Sequence, residues 1–246
     1  MKLITVEQME AATEQLLETG RQVGADSWQQ RVKNQTPHCK FGEEGICCRI
    51  CSMGPCRITP KAPRGICGCD VHGIVARNYL RFTAGGAATH SDHGRSICHT
   101  LYQTKEGGNY TVKDPEKLKR IAGEWGIATE GKDIYDLAHE VAETALMEYG
   151  KPFGLQRFLQ RAPEHTQKLW HDAGIEPRAI DREVSQSLHM THMGCSSLPE
   201  ALIRQALRAG LCDGWGGSMC GLKWMNSLSG IRAMSEVVTN LVWKHF

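Results

Sequence analysis

The sequence predicts an all-α fold, a helical domain with a cysteine-rich loop region near its N-terminus. Three observations carry this. Strand-like alternation of apolar and polar residues is nearly absent. Several segments place apolar residues at helical spacing between recognisable caps. One stretch, Cys39 to Cys69, has neither pattern and is crowded with glycine, proline and cysteine.

In chain order, Val6 to Glu18 has apolar or small residues at helical spacing. The run from Asp70 to Leu101 reads as a long helix with an expected break near Gly85-Gly86. Asp114 followed by Pro115 is an N-cap with proline at the first helical position, opening a helix toward Trp125. Asp133 can cap Ile134 to Tyr149, with Leu137, Val141, Ala145 and Met147 near one face and Gly150 at the end. Ala162 to Ala173 and Leu198 to Leu211 read as two further helices. In the latter, Leu202, Ala206 and Ala209 share a stripe. The expected organisation is an N-terminal helix and lead-in over 1–38, a cysteine loop over 39–69 and a helical bundle over 70–246.

The 246 residues suffice for one large domain or two small ones. A net charge of +2 gives no basic field for nucleic acid. No apolar run reaches the roughly 18 residues of a membrane span. The start, MKLITVEQMEAATEQLLETG, carries acids and lacks the apolar core of a signal peptide. A cytoplasmic, reducing location is therefore expected, where eleven cysteines point to metal ligation rather than disulfides.

The segment CKFGEEGICCRICSMGPCRITPKAPRGICGC contains Cys39, Cys47, Cys48, Cys51, Cys56, Cys67 and Cys69. A loop this long without regular structure needs another organiser. Cys48, Cys51 and Cys56 have the short spacing of a loop that wraps a cubane cluster, and Cys67 returns as a fourth thiolate, with Cys69 as a possible substitute. Cys47 abuts Cys48, and neighbours in extended chain point to opposite sides, so one cluster is not expected to take both. Cys47 would pair with Cys39 in a second site, and two thiolates become four if a twofold axis brings a second copy. A four-cysteine zinc site uses the same ligands and stays open as an alternative, although the second paired CxxC of common zinc modules is missing. Cys98, Cys195, Cys212 and Cys220 are scattered, the pattern of buried small hydrophobes.

His90, His93 and His99, with Ser96 between them, recur in steps of three along the long helix. Such steps stay on a slowly drifting face, each about 4.5 Å further along the axis. Histidine titrates near neutrality, so the row can either pass protons or simply decorate a solvated face.

These residues together resemble a known family. CKFGEEGICCRICSMGPCRITP, GICG, IVARNYLR, TAGGAATHSDHGR and HTLY are similar to the N-terminal helical domain of the anaerobic nickel–iron carbon monoxide dehydrogenases, and DGWGGSM at 213–219 resembles a later stretch of that domain. The resemblance runs from about Cys39 to Met219 and is densest from Cys39 to Leu101. It implies a homodimer that oxidises CO with water to CO2, two protons and two electrons. Cys48, Cys51, Cys56 and Cys67 resemble the ligands of the internal [4Fe-4S] cluster. Cys39 and Cys47 resemble the ligands of the cluster bridging two subunits, and their spacing resembles the form with a bridging [4Fe-4S] rather than [2Fe-2S] cluster. His90, His93 and His99 resemble a proton-exit row, with Ser96 where some members carry another histidine.

In that family the nickel-containing cluster sits in downstream α/β domains. The resemblance thus implies no catalytic residue within this chain, and CO oxidation is not expected from it alone. The implied partners are a second copy, ferredoxin or a similar electron carrier, and a further chain if the active site is carried separately. A stand-alone dimeric iron–sulfur electron-transfer module, or a degraded non-catalytic paralogue, is the alternative reading.

Overall fold

The computed structural model describes residues 11–107 and 110–225. It divides into two units, one ending at Glu44 and one starting at Gly45. The first contains α1 (Ala11–Gln22), α2 (Trp28–Asn34) and α3 (Lys40–Glu43). Helix α1 runs a turn past the Glu18 boundary expected from periodicity, and residues 6–10 of that expectation lie outside the described residues. Ser27 caps α2 by accepting the Gln30 N–H (3.3 Å).

The second unit opens with a two-stranded antiparallel ladder, β1 (Cys47–Cys48) against β2 (Cys56–Arg57). Then come α4 (Val71–Gln103), α5 (Pro115–Glu124), α6 (Ile134–Gly150), α7 (Glu164–Asp172), α8 (Ile180–Thr191), α9 (Pro199–Cys212) and α10 (Met219–Met225). A π-helical turn, Asp213–Ser218, joins α9 to α10. The all-α expectation holds, and the ladder and α2, α8 and α10 are elements that periodicity did not single out.

Helix α4 is the axis of the unit. Asp70 caps it, its Oδ1 accepting the Gly73 N–H (2.9 Å). The break expected at Gly85-Gly86 does not occur. Each interior glycine costs about 0.5–1 kcal/mol relative to alanine. Buried Ala84 and Ala87 on either side of the pair hold the helix in the bundle. Its C-terminal half contributes Ile97, Cys98 and Leu101 to a core shared with α5 (Leu118, Ile121) and α6 (Leu137, Val141, Ala145). Met147 does not join that stripe and is 63% exposed; the buried positions at this end of α6 are Glu148 and Tyr149. Earlier on α4, Ala76 and Leu80 pack with Leu202 and Ala206 of α9. Cys98, Cys212 and Cys220 are buried in the core, as expected of scattered cysteines, whereas Cys195 is exposed.

The π turn lies directly against α4. A Cβ on Gly217 would sit 2.8 Å from the Ser91 backbone nitrogen, and one on Gly94 would sit 2.5 Å from the Gly217 carbonyl oxygen. Only glycine permits this approach, which explains Gly217 of DGWGGSM and Gly94 of α4 in packing terms.

Glu183 anchors α8 from inside the fold. Its side chain is fully buried and accepts from Arg178 Nε (2.7 Å), Arg178 Nη2 (3.0 Å), the Arg178 backbone N–H (3.0 Å) and Gln205 Nε2 of α9 (3.0 Å). Burial alone would raise its pKa, but the Arg178 and Gln205 bonds outweigh this and hold the carboxyl below the ordinary range. A depressed folded pKa gives stability that is complete above the unfolded value of about 4.3 and fades as pH falls through the folded value. Glu183→Gln should lower unfolding free energy at pH 7 by about 3 kcal/mol, since it leaves Arg178 without its charge. The gap to the wild type should narrow in acid, as read by urea denaturation across pH; a gap independent of pH would contradict this account.

Candidate metal centre

The centre begins with how the cysteine loop is fastened. Asn78 of α4 donates from Nδ2 to the carbonyl oxygens of Gly45 and Cys47, both at 2.9 Å. The ladder pairs Cys48 with Cys56 and Cys47 with Arg57. Past the ladder, Thr59 and Ala62 form a small turn closed by reciprocal backbone bonds (3.1 and 3.0 Å). The chain then returns through a turn in which the Gly65 N–H reaches Cys69 O and the Gly68 N–H reaches Gly65 O, both 2.8 Å. Gly68, between Cys67 and Cys69, takes φ +86°, a left-handed value that favours glycine.

The result is one hollow lined by Cys48, Cys51, Cys56 and Cys67, with Ile50, Gly65, Ile74, Arg77 and Met193 completing the wall. About 350 Å3 of it is free of atoms, part of this open to solvent. Cys47 is not in its lining, the outcome expected of adjacent residues in extended backbone. Cys69 is fully buried and stands off the hollow against the first turn of α4. Cys39 caps α3 in the first unit and is exposed.

Two of the four sulfurs already receive hydrogen bonds. The Ile66 N–H donates to Cys56 Sγ (3.4 Å), and Arg77 Nη1 donates to Cys67 Sγ (3.4 Å). Burial pushes the Cys67 thiol up, but the Cys69 N–H and the Arg77 guanidinium outweigh it and hold the thiol below its ordinary value. At Cys69 burial dominates and raises the thiol. Four thiols around one hollow, two with N–H donors aimed at sulfur, suit a thiolate-ligated inorganic core. Among the described residues, no three His, Cys, Asp or Glu side chains converge on the position of a single metal ion.

The histidine row occupies α4. His93, Ser96 and His99 are exposed. His90 is half-buried, and its Nδ1 bonds Asp213 Oδ1 on the π turn at 2.6 Å. Ser218 Oγ donates to the same carboxylate oxygen (3.1 Å). Asp213 was not singled out from sequence; its 123-residue separation from His90 hides the pair, and the glycines that follow it were the available signal.

The fold and the site together define a helical domain built around a four-thiol hollow. The chain belongs to the Prismane/CO dehydrogenase family, whose model matches residues 46–244. The match passes well beyond Met219, so the C-terminal segment, expected to lie outside the resemblance, is part of it. Carbon monoxide dehydrogenase 1 of Methanosarcina mazei is 42% identical over 238 residues, which cover 95% of this chain and 38% of the relative. Carbon monoxide dehydrogenase 1 of Carboxydothermus hydrogenoformans is 39% identical over 215 residues, covering 83% and 34%. A Ni-free carbon monoxide dehydrogenase structure from Thermococcus sp. AM4 superposes with a TM-score of 0.83 at 42% identity, covering 90% of this chain and 36% of that one. The chain thus spans little more than a third of the length of these relatives.

Gly73 secures the hollow from behind. A Cβ there would meet Cys69 Sγ at 2.4 Å and Ser197 O at 2.9 Å. Gly73→Ala should therefore destabilise the chain by about 1–3 kcal/mol through overpacking. It should also expose Cys69 to alkylation under native conditions, measured by mass spectrometry; unchanged stability and labelling would show that the contact is slack.

Proposed function

We propose that this chain is the electron-exit domain of a nickel–iron carbon monoxide dehydrogenase, the enzyme of CO + H2O to CO2 + 2 H+ + 2 e−. The observation that carries the proposal is the hollow lined by Cys48, Cys51, Cys56 and Cys67. The family membership supports the assignment of the chemistry.

Those four cysteines would hold one [4Fe-4S] cluster. Cys39 and Cys47 would hold half of another, completed by the same pair in a second copy about a twofold axis. Support for the division comes from the ladder, which turns Cys47 away from the hollow that Cys48 faces. When bound, such clusters supply one-electron carriage without proton transfer. The chain's own residues do the rest. Asn78 fixes the Cys47 backbone on α4, the Ile66 N–H and Arg77 stabilise negative charge on sulfur, and Ile50, Ile74 and Met193 shield the wall from water.

Protons need a separate exit, and His90, His93 and His99 with Ser96 form it along α4 in this proposal. The Nδ1 bond to Asp213 orients the His90 ring at the start of the row. No catalytic group is assigned among the 246 residues; in this proposal the nickel-containing cluster would be held by residues outside this chain. A homodimer, a cytoplasmic anaerobic setting and a ferredoxin-type acceptor complete the proposal. No helix among the described residues is long and apolar enough to cross a membrane.

Iron and sulfide analysis of anaerobically purified protein tests the reading. About six irons per chain are expected, four internal and two from the shared site, with negligible zinc. Cys51→Ser should remove about four, and Cys47→Ser about two together with dimer mass in sedimentation. Stoichiometric zinc without iron would establish the zinc alternative, and full iron in Cys47→Ser would remove the shared site.

A further inference from the structure

We infer that Arg77 sets the reduction potential of the cluster held by Cys48, Cys51, Cys56 and Cys67, acting through Cys67 and through the segment that closes the hollow. The inference rests on the iron–sulfur reading above. Arg77 is only 2% exposed, yet no carboxylate pairs with it among the described residues. Its guanidinium bonds go elsewhere. Nη1 donates to Cys67 Sγ at 3.4 Å, Nε donates to Ser196 O at 2.8 Å, and Nη2 donates to the same carbonyl.

A buried guanidinium without a counter-charge is expensive, and evolution of a stable fold does not favour leaving one alone. Its bonds go to the Cys67 sulfur and the Ser196 carbonyl oxygen, and it shares the wall of the hollow with Cys48, Cys51 and Cys56, so the negative charge it faces is that of a thiolate-ligated core. Reduction adds one electron to that core and breaks no bond. A fixed cation at its edge stabilises the added charge, as does an N–H donated to a ligand sulfur. Arg77 supplies both, and each raises the potential.

The same side chain also positions the segment beside the hollow. Its Nε and Nη2 bonds tie Ser196 to α4, and Met193, three residues earlier, lines the hollow. Gly73 lets Ser197 O approach the helix one turn away. Arg77 is therefore a positioning residue as well as a charge, and a merely structural clamp would leave the midpoint of an intact cluster where it was.

Potentiometric titration with dithionite, followed by electron paramagnetic resonance on the anaerobic holoprotein, tests this. The internal signal is identified by its loss in Cys51→Ser. Arg77→Gln should keep its iron and shift that midpoint negative, by about 59 mV for every tenfold weaker hold on the electron. Arg77→Lys keeps a charge but loses the fork, and should fall between the two. If the glutamine variant fails to retain iron, the lysine variant decides: a negative shift supports the inference, and an unmoved or positive midpoint with full iron overturns it. Wild-type protein that binds no iron would remove the iron–sulfur reading itself, a result distinct from full iron with an unmoved midpoint in Arg77→Gln.

Discussion

Along α4, other parts of the chain approach the backbone at two levels, and each approach depends on a side chain that is not there. At Gly73 the Ser197 carbonyl and the Cys69 sulfur come within contact of the first turn. At Gly94 the π turn does the same through Gly217. Close backbone contact of this kind leaves no room to slide, because a shift of a fraction of an ångström along the helix brings real atoms into the gap. The cysteine loop, the histidine row and the core all take their positions from this one helix.

That constraint links the two ends of the candidate chemistry. The N-terminal turns of α4 carry Asp70, Gly73, Arg77 and Asn78, which hold the cysteine loop and the 193–197 segment. The middle carries His90, which meets Asp213 because the π turn is packed on the helix. In the proposed reading, electrons would pass by the cysteine loop at the start of α4 and protons along the histidine row further on. A two-electron oxidation that releases protons needs such a separation, since an electron tunnels through packed protein while a proton needs titratable groups or water in contact.

The apolar interior supports the arrangement without specifying it. Leu118, Ile121, Leu137, Val141 and Ala145 fill the space beside the C-terminal half of α4. Specificity comes from buried polar links that admit few alternatives. Glu183 with Arg178 and Gln205 joins α8 to α9, and Glu148 accepts from Lys151 Nζ (2.9 Å) and the Arg157 backbone N–H (2.8 Å) beyond the end of α6. Each would be costly to break, because a partner would be left buried and unpaired.

The local sequence specified the helices with caps and a clear apolar stripe, such as Pro115–Glu124, Ile134–Gly150 and Pro199–Cys212, because those signals act over one or two turns. It also determined that Cys47 and Cys48 face apart, since adjacent residues of an extended strand must. It was silent or misleading where distant residues decide. The glycine pair at 85–86 reads locally as a break, yet packing of Ala84 and Ala87 keeps α4 continuous. The pairing of His90 with Asp213, the role of Arg77 and the requirement for Gly73 and Gly217 join positions 119 to 126 residues apart. No local period encodes such pairs; they exist only once the bundle has closed and set which backbone lies against α4.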